Sequence, residues 1–337
     1  MSVVVLNWNG AAFLERCLEA VQAQTVTDRE VLLVDNGSSD GSETLVRAWG
    51  ERPGFRSFLL DRNTGFCGGN NLAFRHARGE WVALLNNDAV PEPAWLENLL
   101  RRGDPARKVG MVGSKILFAD PPGVIDKAGH LIWPDGQNRG RGTGQPDTGQ
   151  YDREEEILWP DGCAALYHRD LVRETGGFDE TFFAYADDAD LGLRARLLGW
   201  RATYAPDAVV RHLHSMTAGS FSPLKIMLVE RNRIFLALKN FPLSLLLQNP
   251  YWMVRRFWWL SWGALRVKGS SGRFVEEHGR WRLLKTLAWA WLSAAKKLPP
   301  ILRARRGIQR GKRLSGREVK ALLRRWRIDV RELTLRD

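Results

Sequence analysis

The chain predicts an α/β domain with a Rossmann-like, mostly parallel sheet and flanking helices, followed by a helical, basic, tryptophan-rich extension. Two observations carry this. The first 110 residues repeat one unit three times: a short apolar run, a turn rich in Asn, Asp and Gly, then an amphipathic helix. Charge and tryptophan then divide the chain. Residues 1–250 hold 27 Lys and Arg against 32 Asp and Glu, whereas residues 251–337 hold 23 against 6, with eight of the fifteen tryptophans. The formal net charge of +12 therefore belongs to the last quarter.

Val3 to Leu6 is a continuous apolar run, the mark of a strand buried on both faces. It closes in Asn7-Trp8-Asn9-Gly10, and Phe13, Leu14, Cys17, Leu18 and Val21 follow at helical spacing. Val31 to Val34 repeats the strand and Asp35-Asn36-Gly37-Ser38-Ser39-Asp40-Gly41 the turn, with a helix from about Ser42. Arg56 to Leu60 reads as a third strand before the glycine- and asparagine-rich loop Asn63 to Asn71. Trp81 to Leu85 is a fourth, ending abruptly in Asn86-Asn87-Asp88. Strand, turn and crossover helix in this order build a parallel sheet. A single such turn is ordinary turn chemistry. Several at the carboxyl edge of one sheet make a polar rim, which is where open α/β sheets take ligands.

Beyond Gly110 the pattern loosens. Met111 to Leu117 reads as a strand, and residues 134–156 as a mobile surface loop. The stretch from Trp159 to Tyr167 reads as a strand, and His168 to Thr175 as a short helix stopped by Gly176-Gly177. Asp187, Asp188 and Asp190 crowd the start of a helix that runs to about Leu198. Capping accounts for one acid there, worth about 0.3–1 kcal/mol. Three in four positions repel one another unless cations such as Arg194 and Arg196 stand near. A helix amino end also keeps a carboxylate ionised, as a general base requires. The three cysteines, Cys17, Cys67 and Cys163, lack metal-ligand spacing, and the odd count fits a reducing compartment. No basic, apolar leader opens the chain, so no secretory signal is expected.

Taken in order, these segments resemble family 2 glycosyltransferases of the rhamnosyltransferase-like branch. The resemblance lies in Asn7-Trp8-Asn9 with Asp35-Asn36-Gly37-Ser38, the Asn63–Asn71 stretch and Leu84-Leu85-Asn86-Asn87-Asp88. It continues through Gly176-Gly177-Phe178-Asp179 to Asp190-Leu191-Gly192-Leu193-Arg194, then His212, Ser215 and Thr217, then Arg231-Asn232 and Lys239-Asn240. It implies a GT-A fold, with residues 1–110 as the nucleotide-sugar half, 111–242 as the acceptor and catalytic half, and 243–337 as the extension. By that resemblance Asn7, Asn9 and Asp35 lie at the base. Asn63, Gly65 and Asn71 lie against ribose and diphosphate, and Asn87 and Asp88 close that site. Asp88 and His212 would hold a divalent ion, Mg²⁺ or Mn²⁺, with His214 competing for the histidine role. Asp188 is the expected general base, supported by Asp187, Asp190 and Arg194. Two departures stand out: Asn86 replaces the first acid of the Asp-x-Asp motif, and Asp187 replaces the usual Glu before the base.

The implied reaction is inverting transfer of a sugar, with dTDP-L-rhamnose as the favoured donor and UDP- or GDP-sugars as alternatives. The implied acceptor is a polyprenyl-diphosphate-linked or other cell-envelope glycan. A silent nucleotide- or glycan-binding scaffold is the competing reading, and self-association is left open. In the extension, Pro250, Arg255 and Arg256 interrupt the apolar run from Phe241 to Leu265, which falls short of a spanning helix. Clustered Trp with Lys and Arg suits a helix lying in a membrane interface. The expected location is therefore peripheral, on the cytoplasmic side of the cell membrane. Binding of nucleic acid along 303–327, and tryptophans packed internally, are the weaker alternatives.

Overall fold

A computed structural model describes residues 1–214, 222–266 and 269–335. Ser215 and Thr217 of the sequence pattern lie outside the described residues. Two units emerge. The first comprises Met1–His130, Gly140–Arg196 and Trp200–Thr217; the second comprises Leu131–Arg139, Leu197–Gly199 and Ala218–Asp337.

The first unit is built on one large sheet. Its amino-terminal part runs β1 (Ser2–Asn7), α1 (Leu14–Gln22), β2 (Glu30–Asp35), α2 (Ser42–Gly50), β3 (Phe55–Leu59), α3 (Gly65–His76) and β4 (Trp81–Asn86). After β4 come β5 (Ala89–Pro91), α4 (Trp95–Leu100), β6 (Val109–Phe118) and β7 (Ile125–Lys127). The short strands β8 (His130–Ile132) and β9 (Asn138–Gly140) form a separate two-stranded sheet, most of which belongs to the second unit. Then follow β10 (Glu155–Ile157), β11 (Ala164–His168), α5 (Arg169–Thr175), α6 (Asp187–Leu197) and β12 (Arg201–His212). The strand order is β10-β12-β6-β11-β4-β1-β2-β3, with β5 on β12 and β7 on β6.

β3, β2, β1 and β4 are mutually parallel, as the crossover pattern requires. Registers Asn7↔Asp35 and Leu6↔Asn86 bring three polar strand ends to one edge. β11 is antiparallel to both β4 and β6, so the sheet is mixed but mostly parallel. Val3, Val5, Leu33 and Leu85 are buried beneath Leu14, Cys17, Leu18 and Val21 of α1, so the run and the helical stripe read in sequence form one core. Trp95 of α4 is fully buried and donates its indole N–H to Ser114 Oγ at 2.8 Å.

Two expectations are corrected. The stretch Asn63–Asn71 is not a loop: Gly65 already opens α3, and only Asn63 and Thr64 precede it. Nor is 134–156 a loose surface segment. Lys115 Nζ holds Asp147 and Asp152, each at 2.6 Å, and Arg141 holds Glu155 at 2.7 Å. Asp135 is fully buried. Polar residues engaged in pairs look, in sequence, like polar residues facing water.

The second unit is helical: α7 (Pro223–Asn240), α8 (Leu243–Leu246), α9 (Asn249–Arg266), α10 (Gly269–His278), α11 (Arg280–Lys296), α12 (Leu298–Gly311), α13 (Gly316–Arg325) and α14 (Val330–Leu335). α7 packs on α11 and α12, and α9 on α10 and α14. Trp133 is buried among Ile328, Val330 and Trp252, its ring edge-on to Trp252 at 5.4 Å. Beside it lies a buried four-charge group. Arg256 Nε meets Asp135 Oδ2 at 2.5 Å and Arg256 reaches Glu230 Oε2 at 2.8 Å, while Arg233 pairs with Glu230. Of the eight tryptophans in the extension, Trp258, Trp281, Trp289 and Trp291 are exposed and the other four are at least half-buried. No helix among the described residues is long and apolar enough to cross a membrane.

Candidate active site

At the carboxyl edge of the sheet, Asn7 organises the rim. Its Nδ2 donates to Asp35 Oδ1 at 2.8 Å and Ser42 Oγ at 2.9 Å, and its Oδ1 accepts from Asn87 Nδ2 at 2.8 Å. Asp35 is buried and also accepts from the Ser38 N–H (3.0 Å) and hydroxyl (2.6 Å). Asn9, at φ +50°, accepts from the Ser39 N–H at 2.8 Å. A Cβ on Gly10 would stand 2.2 Å from Asn87 Nδ2 and 2.3 Å from Asn7 Oδ1, so only glycine lets the first turn lie against this cluster.

The residues around α3 serve a second loop. Asn63 Oδ1 accepts from the Gly65 N–H at 2.7 Å and from Asn36 Nδ2 at 3.1 Å. Asn71 makes a two-way clasp on Phe178: Nδ2 donates to its carbonyl and Oδ1 accepts from its N–H, both at 2.9 Å. Gly65, at φ +77°, lies under the Phe183 carbonyl, and a Cβ there would approach it to 2.3 Å. Between these anchors the backbone is strained. Phe183, Tyr185 and Ala186 have φ of +69°, +69° and +57°, a rare region for residues with side chains. This segment delivers the chain to Asp187 and Asp188 at the start of α6. Arg194 then locks α6 to the turn before it. It pairs with the fully buried Asp190 at 2.8 Å and donates to the carbonyls of Thr175 (2.6 Å) and Gly177 (2.8 Å).

Asp88 follows β4, and β5 pairing on β12 brings His212 to it, Nε2 to Oδ1 at 3.3 Å. His212 Nδ1 faces Asp126 Oδ2 at 2.8 Å, and His214 Nε2 reaches the same oxygen at 2.9 Å. Asp126, His212 and His214 are thus grouped closely enough to hold one metal ion. One carboxylate and two imidazoles are donors that first-row divalent ions accept. Burial favours the neutral carboxyl of Asp126, but Lys127, His212 and His214 outweigh it and hold its pKa below the usual range. Burial also disfavours charge on His212, yet Cys163, Asp126 and Asp88 lift its pKa well above the usual imidazole value.

A second group surrounds the expected base. Asp188 Oδ2 accepts from the Gly162 N–H at 3.3 Å and faces His130 Nε2 at 3.4 Å; Oδ1 accepts from the Ala189 N–H at 2.7 Å. His130 Nε2 also meets Asp161 Oδ2 at 2.9 Å, and Lys127 Nζ meets that oxygen at 2.8 Å. Although His130, Asp161 and Asp188 are spaced to hold a metal, Lys127 already supplies a cation there. Burial raises the pKa of Asp188, with Asp161 adding to the rise and His130 and Lys127 opposing it. Burial and then Asp188 push Asp187 well up. Asp161-Gly162-Cys163 joins the two groups, since Cys163 interacts with His212.

All of the expected site residues in the described chain fall in this unit. Asn7, Asn9, Asp35 and Asn87 lie in the rim, and His212 and His214 in the metal-competent group with Asp88 facing His212. Asp187 and Asp188 lie at the base cluster, whereas Asn63, Gly65, Asn71, Asp190 and Arg194 brace the turns that lead to α6. Asp126, Lys127, His130 and Asp161 were not legible as site residues. Asp126-Lys127 and His130 stand among apolar and turn residues, and Asp161 between Pro160 and Gly162 reads as a turn.

Residues 2–176 match the model of the family described as Glycosyl transferase family 2. The chain is 28% identical over 252 residues to an N-acetylglucosaminyl-diphospho-decaprenol L-rhamnosyltransferase of Mycobacterium tuberculosis, covering 65% of this chain and 78% of that one. It resembles in structure the mannosyltransferase PcManGT of Pyrobaculum calidifontis in complex with GDP-Man and Mn²⁺, at TM-score 0.52 and 22% identity, over 88% of this chain and 86% of that one. It also resembles GalNAc-T7 with UDP, GalNAc and Mn²⁺, at TM-score 0.58 and 16% identity, over 71% of this chain and 48% of that one. These neighbours share the α/β architecture of the first unit and bear out the GT-A fold.

Proposed function

The chain belongs to glycosyl transferase family 2, and from that premise we propose that it transfers L-rhamnose from dTDP-L-rhamnose, with inversion, to a polyprenyl-diphosphate-linked or other cell-envelope glycan. The observation that carries a catalytic reading is Asp188: a carboxylate at a helix start, addressed by a main-chain N–H and an imidazole, with its pKa raised by burial. The donor sugar and acceptor draw support from the mycobacterial relative.

Asp188 accepts the proton of an acceptor hydroxyl as that oxygen bonds to the anomeric carbon. The bond from that carbon to the diphosphate breaks, and the nucleoside diphosphate leaves. Gly162 and Ala189 hold the carboxylate in place. Asn7, Asn9, Asp35, Asn63, Asn87 and the turn at Gly65 shape the donor side. Asp126, His212 and His214, with Asp88 facing His212, would hold the divalent ion, Mg²⁺ or Mn²⁺. When bound, such an ion offsets charge on the departing diphosphate. The exposed tryptophans and basic excess of the extension support a peripheral place on the cytoplasmic membrane face, beside a lipid-linked acceptor.

A thermal-shift panel of dTDP, UDP, GDP and CDP, each with and without Mn²⁺, tests this. A ligand at 100 times its Kd adds about 2.7 kcal/mol to the folded state. The expected result is a metal-dependent shift with dTDP. Preference for UDP or GDP would discard the rhamnose donor, and no shift with any nucleotide would favour a silent scaffold.

A further inference from the structure

Among the described residues, all fourteen exposed large hydrophobic side chains lie at or beyond Leu224, in the helical unit. They are ordered. Tyr251, Val254, Trp258 and Leu265 fall on one stripe of α9, and Trp281, Leu284 and Leu292 on one stripe of α11. An apolar helix face left open to water marks an interaction surface. Its setting among cations says which kind.

The same unit contains a cavity of about 170 Å³. Trp133, Trp252, Phe241 and Leu323 supply apolar walls, while Lys320, Arg324 and Arg327 supply charge. No acid lines it. Lys320 and Arg324 stand one turn apart on α13, and no ion pair is formed by either, or by Arg327, among the described residues. Arg327 lies over the rings of Trp133 and Trp252 at 4.8 and 4.5 Å, and Arg255 lies over the same two rings at 5.8 and 5.6 Å. Cations gathered at one aromatic pair are short of an anion. Burial lowers the Arg327 pKa, and Arg255 and Arg324 lower it further, with Asp329 offsetting part.

We infer that this cavity binds the phosphate of an anionic phospholipid, with the α9 and α11 stripes seated in the surrounding bilayer interface. The inference rests on the membrane-associated reading of the extension and gives it a site. Guanidinium forks match phosphate oxygens, and indole walls match the glycerol and first acyl carbons. A free phosphate would use the cations but gain nothing from the walls or stripes. A nucleic acid would need a groove tracking successive phosphates, not one pocket with aromatic sides.

The test is flotation of the full chain with vesicles of phosphatidylcholine alone or mixed with phosphatidylglycerol. Binding is expected only to the mixture. The triple variant Lys320→Gln/Arg324→Gln/Arg327→Gln should weaken it about a hundredfold, taking each basic residue near an anionic leaflet at roughly fivefold. The control Arg303→Gln/Arg306→Gln/Arg310→Gln removes equal charge from exposed positions of α12 and should cost less than about tenfold. Equal losses in the two triples would overturn the site in favour of diffuse attraction. Displacement from vesicles by inorganic phosphate or by an oligonucleotide would overturn the lipid assignment. So would stripes covered in a vesicle-free dimer. The nucleotide-induced thermal shift is read on every variant. Its retention shows a folded chain, and its absence in the parent would fail the glycosyltransferase reading without touching the vesicle result.

Discussion

Asp188 is held by two main-chain N–H groups and faced by one imidazole, and these contacts do different things. The N–H groups fix the carboxylate; His130 opposes the rise in pKa that burial causes. Asp188→Asn keeps the shape and removes the base, so kcat should fall by about 10²–10⁴ while nucleotide affinity is retained. Steady-state kinetics beside nucleotide titration would show this, and near-normal turnover would dismiss Asp188 as base. Only the ionised carboxylate accepts a proton, so a raised pKa puts the acid limb of the rate profile at higher pH than an ordinary Asp gives. His130→Gln removes an opposing charge and should move that limb to still higher pH. A pH–rate profile that does not move would remove His130 from the account. Asp188 was legible because helix-start acids in a cluster are unusual. His130 was not, since one histidine after a glycine resembles any buried histidine.

At the level of elements, the repeated strand–turn–helix units were readable because strands β1 to β4 are long enough to show an apolar run and helices α1 to α3 follow each turn. Strands β7 to β10 span three residues each, too few for any periodicity. The positive φ values at Phe183, Tyr185 and Ala186 leave no trace in residue type, because aromatic residues and alanine do not favour that region. Gly65 is the legible end of the same feature. Gly65→Ala would force a Cβ onto the Phe183 carbonyl in a strained conformation. We expect a loss of at least about 1 kcal/mol in denaturant unfolding, together with reduced turnover because the displaced segment carries Asp188. Unchanged unfolding would show that the segment yields without cost.

For the whole molecule, composition sets an acidic amino-terminal part against a basic carboxyl-terminal one, but it does not show that Leu131–Arg139 and the chain from Ala218 belong to the helical unit. Asp135 looks like a turn residue after Pro134, yet it is fully buried against Arg256. Arg256→Met should cost about 3–5 kcal/mol, because Asp135 and Glu230 would keep buried charge with less compensation. Calorimetry would register a lowered transition, and an unaltered one would mean that the group is solvated. Arg256 and Arg233 hold the Glu230 pKa down against burial. Its contribution is therefore present above the ordinary glutamate range and is lost as pH falls through the depressed value.

The helical unit draws on residues 131–139, 197–199 and 218–337, so the chain passes from one unit to the other five times. Inheritance is constrained by this route. A recombination that exchanged only the carboxyl-terminal third between two relatives would bring in a new set of helices but leave behind the old Trp133 and Asp135. The hybrid would meet a foreign partner at its most buried charge. Extensions of this kind should therefore travel through descent together with a matching central segment, and a gene fusion made at any single junction would separate residues that need one another.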